Sequence, residues 1–133
     1  MKKLMCEFTA VVDAPAERVA ALVCAPDSML LRDSGYVLSP LGPGKYAATA
    51  PGHQMTVESQ VHQGFFAVQG GWWYRAEYQV AAVPGGARLT QRVYNAATWG
   101  RWAVPLASKF FAGFESRSRS QFEQLVAQVR QAV

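Results

Sequence analysis

Between residues 41 and 86 the chain is interrupted five times by glycine-containing reversals: LGPG at 41–44, PG at 51–52, QG at 63–64, GG at 70–71 and PGG at 84–86. Glycine enters left-handed backbone conformations without a steric penalty, and proline presets the φ of a first turn residue, so these are hairpin signals. The intervals between them are each about one strand long. Six consecutive strands in an antiparallel meander are therefore predicted, starting after Gly35 and ending near Asn95. This leaves no room for a long helix in the middle of the chain, and long helical segments are confined to its ends.

Alternation within the intervals assigns the faces. In 53–62, Met55, Val57 and Val61 share one side, and Gln54, Thr56, Glu58, Gln60 and His62 the other. That period of two marks a sheet with one face on a core and one in water. In 72–82 the same rule puts Trp72, Tyr74, Ala76, Tyr78 and Val80 inward, with Trp73, Arg75, Glu77 and Gln79 opposite. The adjacent tryptophans of GGWWYR are thereby divided, Trp72 inside and Trp73 over the outer sheet surface beside Arg75. In 88–96, Leu89, Gln91, Val93 and Asn95 face inward and Arg88, Thr90 and Arg92 outward.

The flanks complete the order. Leu4 to Val12 reads as a strand, and Asp13, Ala14 and Pro15 open a helix with Glu17 near its positive end and Val19, Leu22 and Val23 on its apolar face. Pro26 closes it, and Asp27 is placed to cap a second short helix carrying Met29, Leu30 and Leu31. A long helix is predicted from Pro105 to about Gln131, with an apolar stripe of Leu106, Phe110, Phe114, Phe122, Leu125 and Val129 in which Ser118 takes one place. The preceding AATWGRWAVP brings Trp99, Arg101 and Trp102 together on a loop expected to pack over the open end of the sheet; gating a cavity or resting at a lipid headgroup layer is the alternative. The whole of 1–133 is read as one domain.

Several functional classes are disfavoured. The formal charge of +4 lies in the C-terminal half, but Arg117 and Arg119 point apart on a helix and no nucleic-acid partner is expected. No 18-residue apolar run is present, and Glu7 breaks the opening segment that would otherwise resemble a secretion signal. Cys6 and Cys24 lack the spacing of a zinc site or a disulfide framework, consistent with a reducing cytoplasm. Glu58 and His62 share a face but lie about 13 Å apart along a strand, too far for one metal ion. No nucleophile elbow, phosphate-binding glycine loop or HExxH motif occurs, so neither a metal nor a cofactor is expected.

Two stretches, FTAVVDAPAERVAALV at 8–23 and SQFEQLVAQV at 120–129, together with the element order, resemble the START-like, or SRPBCC, superfamily with its Bet v 1-type helix-grip fold. The resemblance implies an α+β architecture, β-α-α-β6-α, in which a curved antiparallel sheet wraps a long C-terminal helix around a cavity for lipids, polyketides or other hydrophobic molecules. The placement is a small bacterial-type, polyketide cyclase/dehydrase-like member. Trp72, Tyr74, Tyr78, Gln91, Asn95, Phe110, Phe114 and Ser118 have the mostly apolar, sparsely polar balance of a ligand site. The same list also fits a filled core in which Gln91, Asn95 and Ser118 bond one another or buried water. Binding or carriage of a hydrophobic small molecule, lipid-like or polyketide-like, is the expected function, by a monomer or homodimer. The alternatives are a cyclase or dehydratase-like enzyme using Tyr74, Tyr78 and Asn95, and a regulatory protein that docks on a partner or membrane through Trp99 and Trp102.

Overall fold

A computed structural model describes residues 2–32, 34–98, 100 and 111–133, with backbone alone for 111 and 112. Its elements are β1 (Lys3–Val12), α1 (Ala16–Val23), β2 (Val37–Gly42), β3 (Lys45–Ala50), β4 (His53–Gln60), a single 3-10 turn (Val61–Gln63), β5 (Phe65–Gly70), β6 (Tyr74–Val83), β7 (Gly86–Asn95) and α2 (Phe111–Ala132). All strand pairs are antiparallel, in the order β1-β7-β6-β5-β4-β3-β2. The meander thus runs from β2 to β7, and the first strand joins its far side.

Each of the five expected reversals is a turn, and at two of them only glycine fits. A Cβ on Gly64 (φ 65°) would stand 2.4 Å from the Val80 carbonyl oxygen, and one on Gly86 (φ 149°) 2.1 Å from that of Val12. Gly86 lets the start of β7 press against the end of β1, just before the chain turns into α1.

Two local expectations are corrected. Met29–Leu31 forms successive turns rather than a second helix: Met29 N–H donates to Leu22 O at 2.9 Å and Leu31 N–H to Ser28 O at 3.0 Å. The cap is Ser28, fully buried, whose hydroxyl accepts from Leu30 N–H at 3.1 Å; a serine that bonds its own downstream backbone competes with helix formation. Secondly, β6 begins only at Tyr74, so Trp72 and Trp73 belong to a turn opened by Gly71 (φ 64°), where strand alternation has no hold.

α2 presents Phe114, Ser118, Phe122, Leu125, Val126 and Val129 to the sheet, the spacing of one helical face. Phe122 stacks on Phe8 of β1 with ring centroids 5.8 Å apart. At its C-terminal end Arg130 donates to the Val11 carbonyl at 2.9 Å, and Val12, Val19, Val23, Leu89 and Val129 close a fully buried layer with α1. The outer sheet face is held electrostatically. Arg75 reaches Glu77 at 2.6 Å, Glu58 at 2.7 Å and Gln69 at 2.9 Å, crossing Ala67, the small residue that lies between Glu77 and Glu58 in the register. Lys2 bonds Glu77 at 2.5 Å, and Arg92 pairs with Glu7.

Candidate functional site

The inner sheet face is organised in cross-strand rows. Phe8, Gln91, Tyr78, Phe66 and Ser59 form one row; Val93, Ala76, Val68, Val57 and Tyr46 the next; Asn95, Tyr74, Gly70, Met55, Ala48 and Leu38 a third. Every member of the first row is buried, covered by α1 and the later turns of α2. Nearer the other end the cover thins. Tyr74, Met55, Leu38, Val68 and Tyr46 are only half-buried, as is Phe114 on the facing helix. Among the described residues, the concave inner face is thus apolar and only partly covered at that end, between sheet and helix.

Trp73 belongs to this end of the molecule and not to the outer surface beside Arg75. Its ring meets Phe114 edge-on at 5.6 Å between centroids and Tyr74 at 5.6 Å. Having left the pleat, it is free to turn towards α2. Trp72 packs instead over the backbone of Gly100 (φ 61°), where a Cβ would come within 3.0 Å of the indole.

Polar groups cluster beneath the concavity. Gln91 Nε2 donates to Tyr78 Oη at 2.9 Å, both residues being at least nine-tenths buried. Gln91 Oε1 has no hydrogen-bond partner among the described residues. Turning the amide over would only exchange which end is unmatched, and a buried unmatched polar atom costs about 1–3 kcal/mol. Burial, and secondarily the proximity of Tyr74, push the Tyr78 phenol well above its ordinary range despite the Gln91 hydrogen bond. Tyr74 is also raised, by burial and then by Cys6. Both hydroxyls stay protonated at neutral pH and act there as donors, not bases.

The remaining predicted residues separate. Ser118 is buried and hydrogen-bonds Cys6, whose thiol is raised by burial and by Glu115 and lowered in part by Ser118 and Arg119. Asn95 sits at the end of β7 with its Oδ1 accepting from Ala97 N–H at 3.2 Å, a turn-forming contact where the chain leaves the sheet. Phe110, Trp99, Arg101 and Trp102 lie outside the described residues. Tyr74, Tyr78, Gln91 and Ser118 are thus brought into one neighbourhood, joined by Cys6, which is not among the expected site residues. The parity that turns Phe8 inward also turns Cys6 inward, and that was the signal available. Among the described residues no group of three or more His, Cys, Asp or Glu side chains is placed to hold a metal, and no helix is long and apolar enough to cross a membrane.

No family model matches the chain, and no curated protein matches it. Solved structures do. A protein of Bacillus halodurans superposes with a TM-score of 0.64 at 15% identity over 97% of both chains. Ara h 8.0201 superposes with a TM-score of 0.55 at 12% identity over 97% of this chain and 98% of its own. The chain has a Bet v 1-like helix-grip fold. The di-domain ARO/CYC protein StfQ of the steffimycin biosynthetic pathway matches 99% of this chain with half of its own length, at a TM-score of 0.60 and 12% identity. At such identities the likeness is one of fold.

Within this Bet v 1-like fold a groove of about 600 Å³ runs between β1 and α2, lined by Phe8, Ala10, Phe122 and Val126 among others. Arg119 overhangs it with its guanidinium 5.0 Å from the Phe8 ring. Neither Tyr78 nor Gln91 lines it.

Proposed function

We propose that the protein binds or carries a hydrophobic small molecule, lipid-like or polyketide-like, in the concavity between the sheet and α2. The observation that carries this reading is the partial exposure of Leu38, Met55, Val68, Tyr74 and Phe114 on surfaces that face each other inside the fold. Apolar side chains left open to water on a concave inner surface, with few polar groups beneath, are what a small-molecule site requires. The Bet v 1-like fold, a curved sheet faced by a long helix, supports this reading as a framework. Nile red, a neutral apolar dye, tests it: the protein is expected to take up one equivalent, and Met55→Trp, which fills the concavity, to reduce that uptake about tenfold. Uptake unchanged by Met55→Trp would place the site elsewhere.

A second reading, a cyclase or dehydratase-like enzyme, draws on one observation, the protonated phenol of Tyr78 beside an amide in a dry environment. Such a hydroxyl polarises a substrate carbonyl without supplying a base. The fold shared with StfQ makes a polyketide-like carbonyl compound the natural first substrate to offer. Release of product with time, rather than stable retention, is what distinguishes this reading from carriage.

A further inference from the structure

Gln91 lies in the most fully covered row of the inner face, and its Oε1 is unmatched among the described residues. Its Nε2 is spent on Tyr78 Oη. Because Tyr78 Oη accepts that bond, its own proton is left to donate, and no described group receives it. The pair therefore offers one donor and one acceptor side by side, with the half-buried Tyr74 between them and the open end of the concavity. Among the described residues no Lys, Arg or His is hydrogen-bonded to either residue.

We infer, resting on the small-molecule reading above, that the guest is a neutral molecule bearing a hydroxyl group, a phenol, enol or alcohol on an apolar body. A hydroxyl accepts from Tyr78 and donates to Gln91 Oε1 with the same oxygen, so one group satisfies both. A hydrocarbon satisfies neither and leaves the carbonyl oxygen orphaned. A carboxylate only accepts, so it sets negative charge against the amide oxygen, and among the described residues no cation is hydrogen-bonded to the pair to offset its desolvation. Discrimination arises because buried polar groups built to bond a hydroxyl are left unpaired by an analogue that lacks it.

Three probes of one shape test the inference by tryptophan fluorescence titration at neutral pH: 9-phenanthrol, phenanthrene and phenanthrene-9-carboxylate. The phenol is expected to bind about tenfold more tightly than either of the others. Gln91→Leu, close in volume and without the orphan oxygen, is expected to bind phenanthrene at least as well as the native protein while losing the preference for the phenol; a thermal melt showing an unchanged or higher Tm establishes that the variant is folded. If phenanthrene binds but the phenol gains nothing, or if Gln91→Leu keeps the preference, the hydroxyl assignment is overturned and the apolar site stands. If none of the three binds, the small-molecule reading itself is overturned, and this inference with it.

Discussion

Single atoms decide more in this protein than its size suggests. At Gly86 the space for a side chain is already taken by the Val12 carbonyl, 2.1 Å from where a Cβ would be, and the backbone there has φ 149°. Gly86→Ala must therefore push β7 away from β1 at the point where the sheet gives way to α1, and a loss of about 3 kcal/mol or more in urea denaturation is expected. A loss under about 0.5 kcal/mol, the scale of ordinary surface substitutions, would show that the strands separate without strain. Residue identities of this kind were partly visible beforehand. The alternation in 72–95 placed Tyr74, Tyr78 and Gln91 inward because each lies inside a strand, where the pleat dictates direction. It failed for Trp73, since a turn residue has no fixed face, and nothing in GGWWYR marks Tyr74 as the first residue of the pleat. The bond between Gln91 and Tyr78 was beyond sequence for another reason: it joins neighbouring strands, and its existence depends on the register that pairs those two positions.

At the level of elements, the helix-to-sheet seam carries much of the packing. Phe122 is 4% exposed, stacks on Phe8 and belongs to the one stripe of α2 that is continuously covered. Phe122→Ala is expected to cost about 3–5 kcal/mol, read as a lowered denaturation midpoint with unchanged slope. A cost below about 1 kcal/mol would mean that α2 contributes little to the seam and is held mainly by its ends. The stripe was legible because its spacing follows the helical period over several turns, and six strands were legible because every boundary carried glycine. The segment after α1 was not. Met29, Leu30 and Leu31 look like the start of an apolar helical face, yet the Ser28 hydroxyl accepts the backbone N–H two residues on and the local choice goes to turns. Short elements are settled by one such bond, long ones by many.

For the whole molecule, the interior sets a limit at alkaline pH. Burial raises the Cys24 thiol from 9.0 to about 12, and burial likewise raises Tyr74 and Tyr78 above their ordinary 10.0. The unfolded chain gives up these protons first, so it binds fewer protons than the folded one as pH rises past about 9, and stability must fall through the interval up to the folded values. The urea midpoint is expected to be lower at about pH 10 than at about pH 8, and Cys24→Ala, whatever its effect at the lower pH, to show a smaller drop between the two. An identical drop would assign the effect to the tyrosines and Cys6, whose thiol burial also raises. Glu77 governs the acid side in the opposite sense: burial opposes its charge, but hydrogen bonds from Lys2 and Arg75 outweigh this and hold its carboxyl below 4.5, so that contribution is lost as pH falls below that value. The architecture also has two free margins, β1 and β2. On β2, Val37 and Leu41 are 68% and 62% exposed, the kind of apolar margin along which a second chain would add and from which a fibril would grow. Pro40 stands between them, with no N–H to offer and a ring that obstructs an incoming strand. On β1 the Val11 carbonyl is already occupied by Arg130. The sheet is thus kept from acting as a template for its own extension, by an imino acid at one margin and a guanidinium at the other.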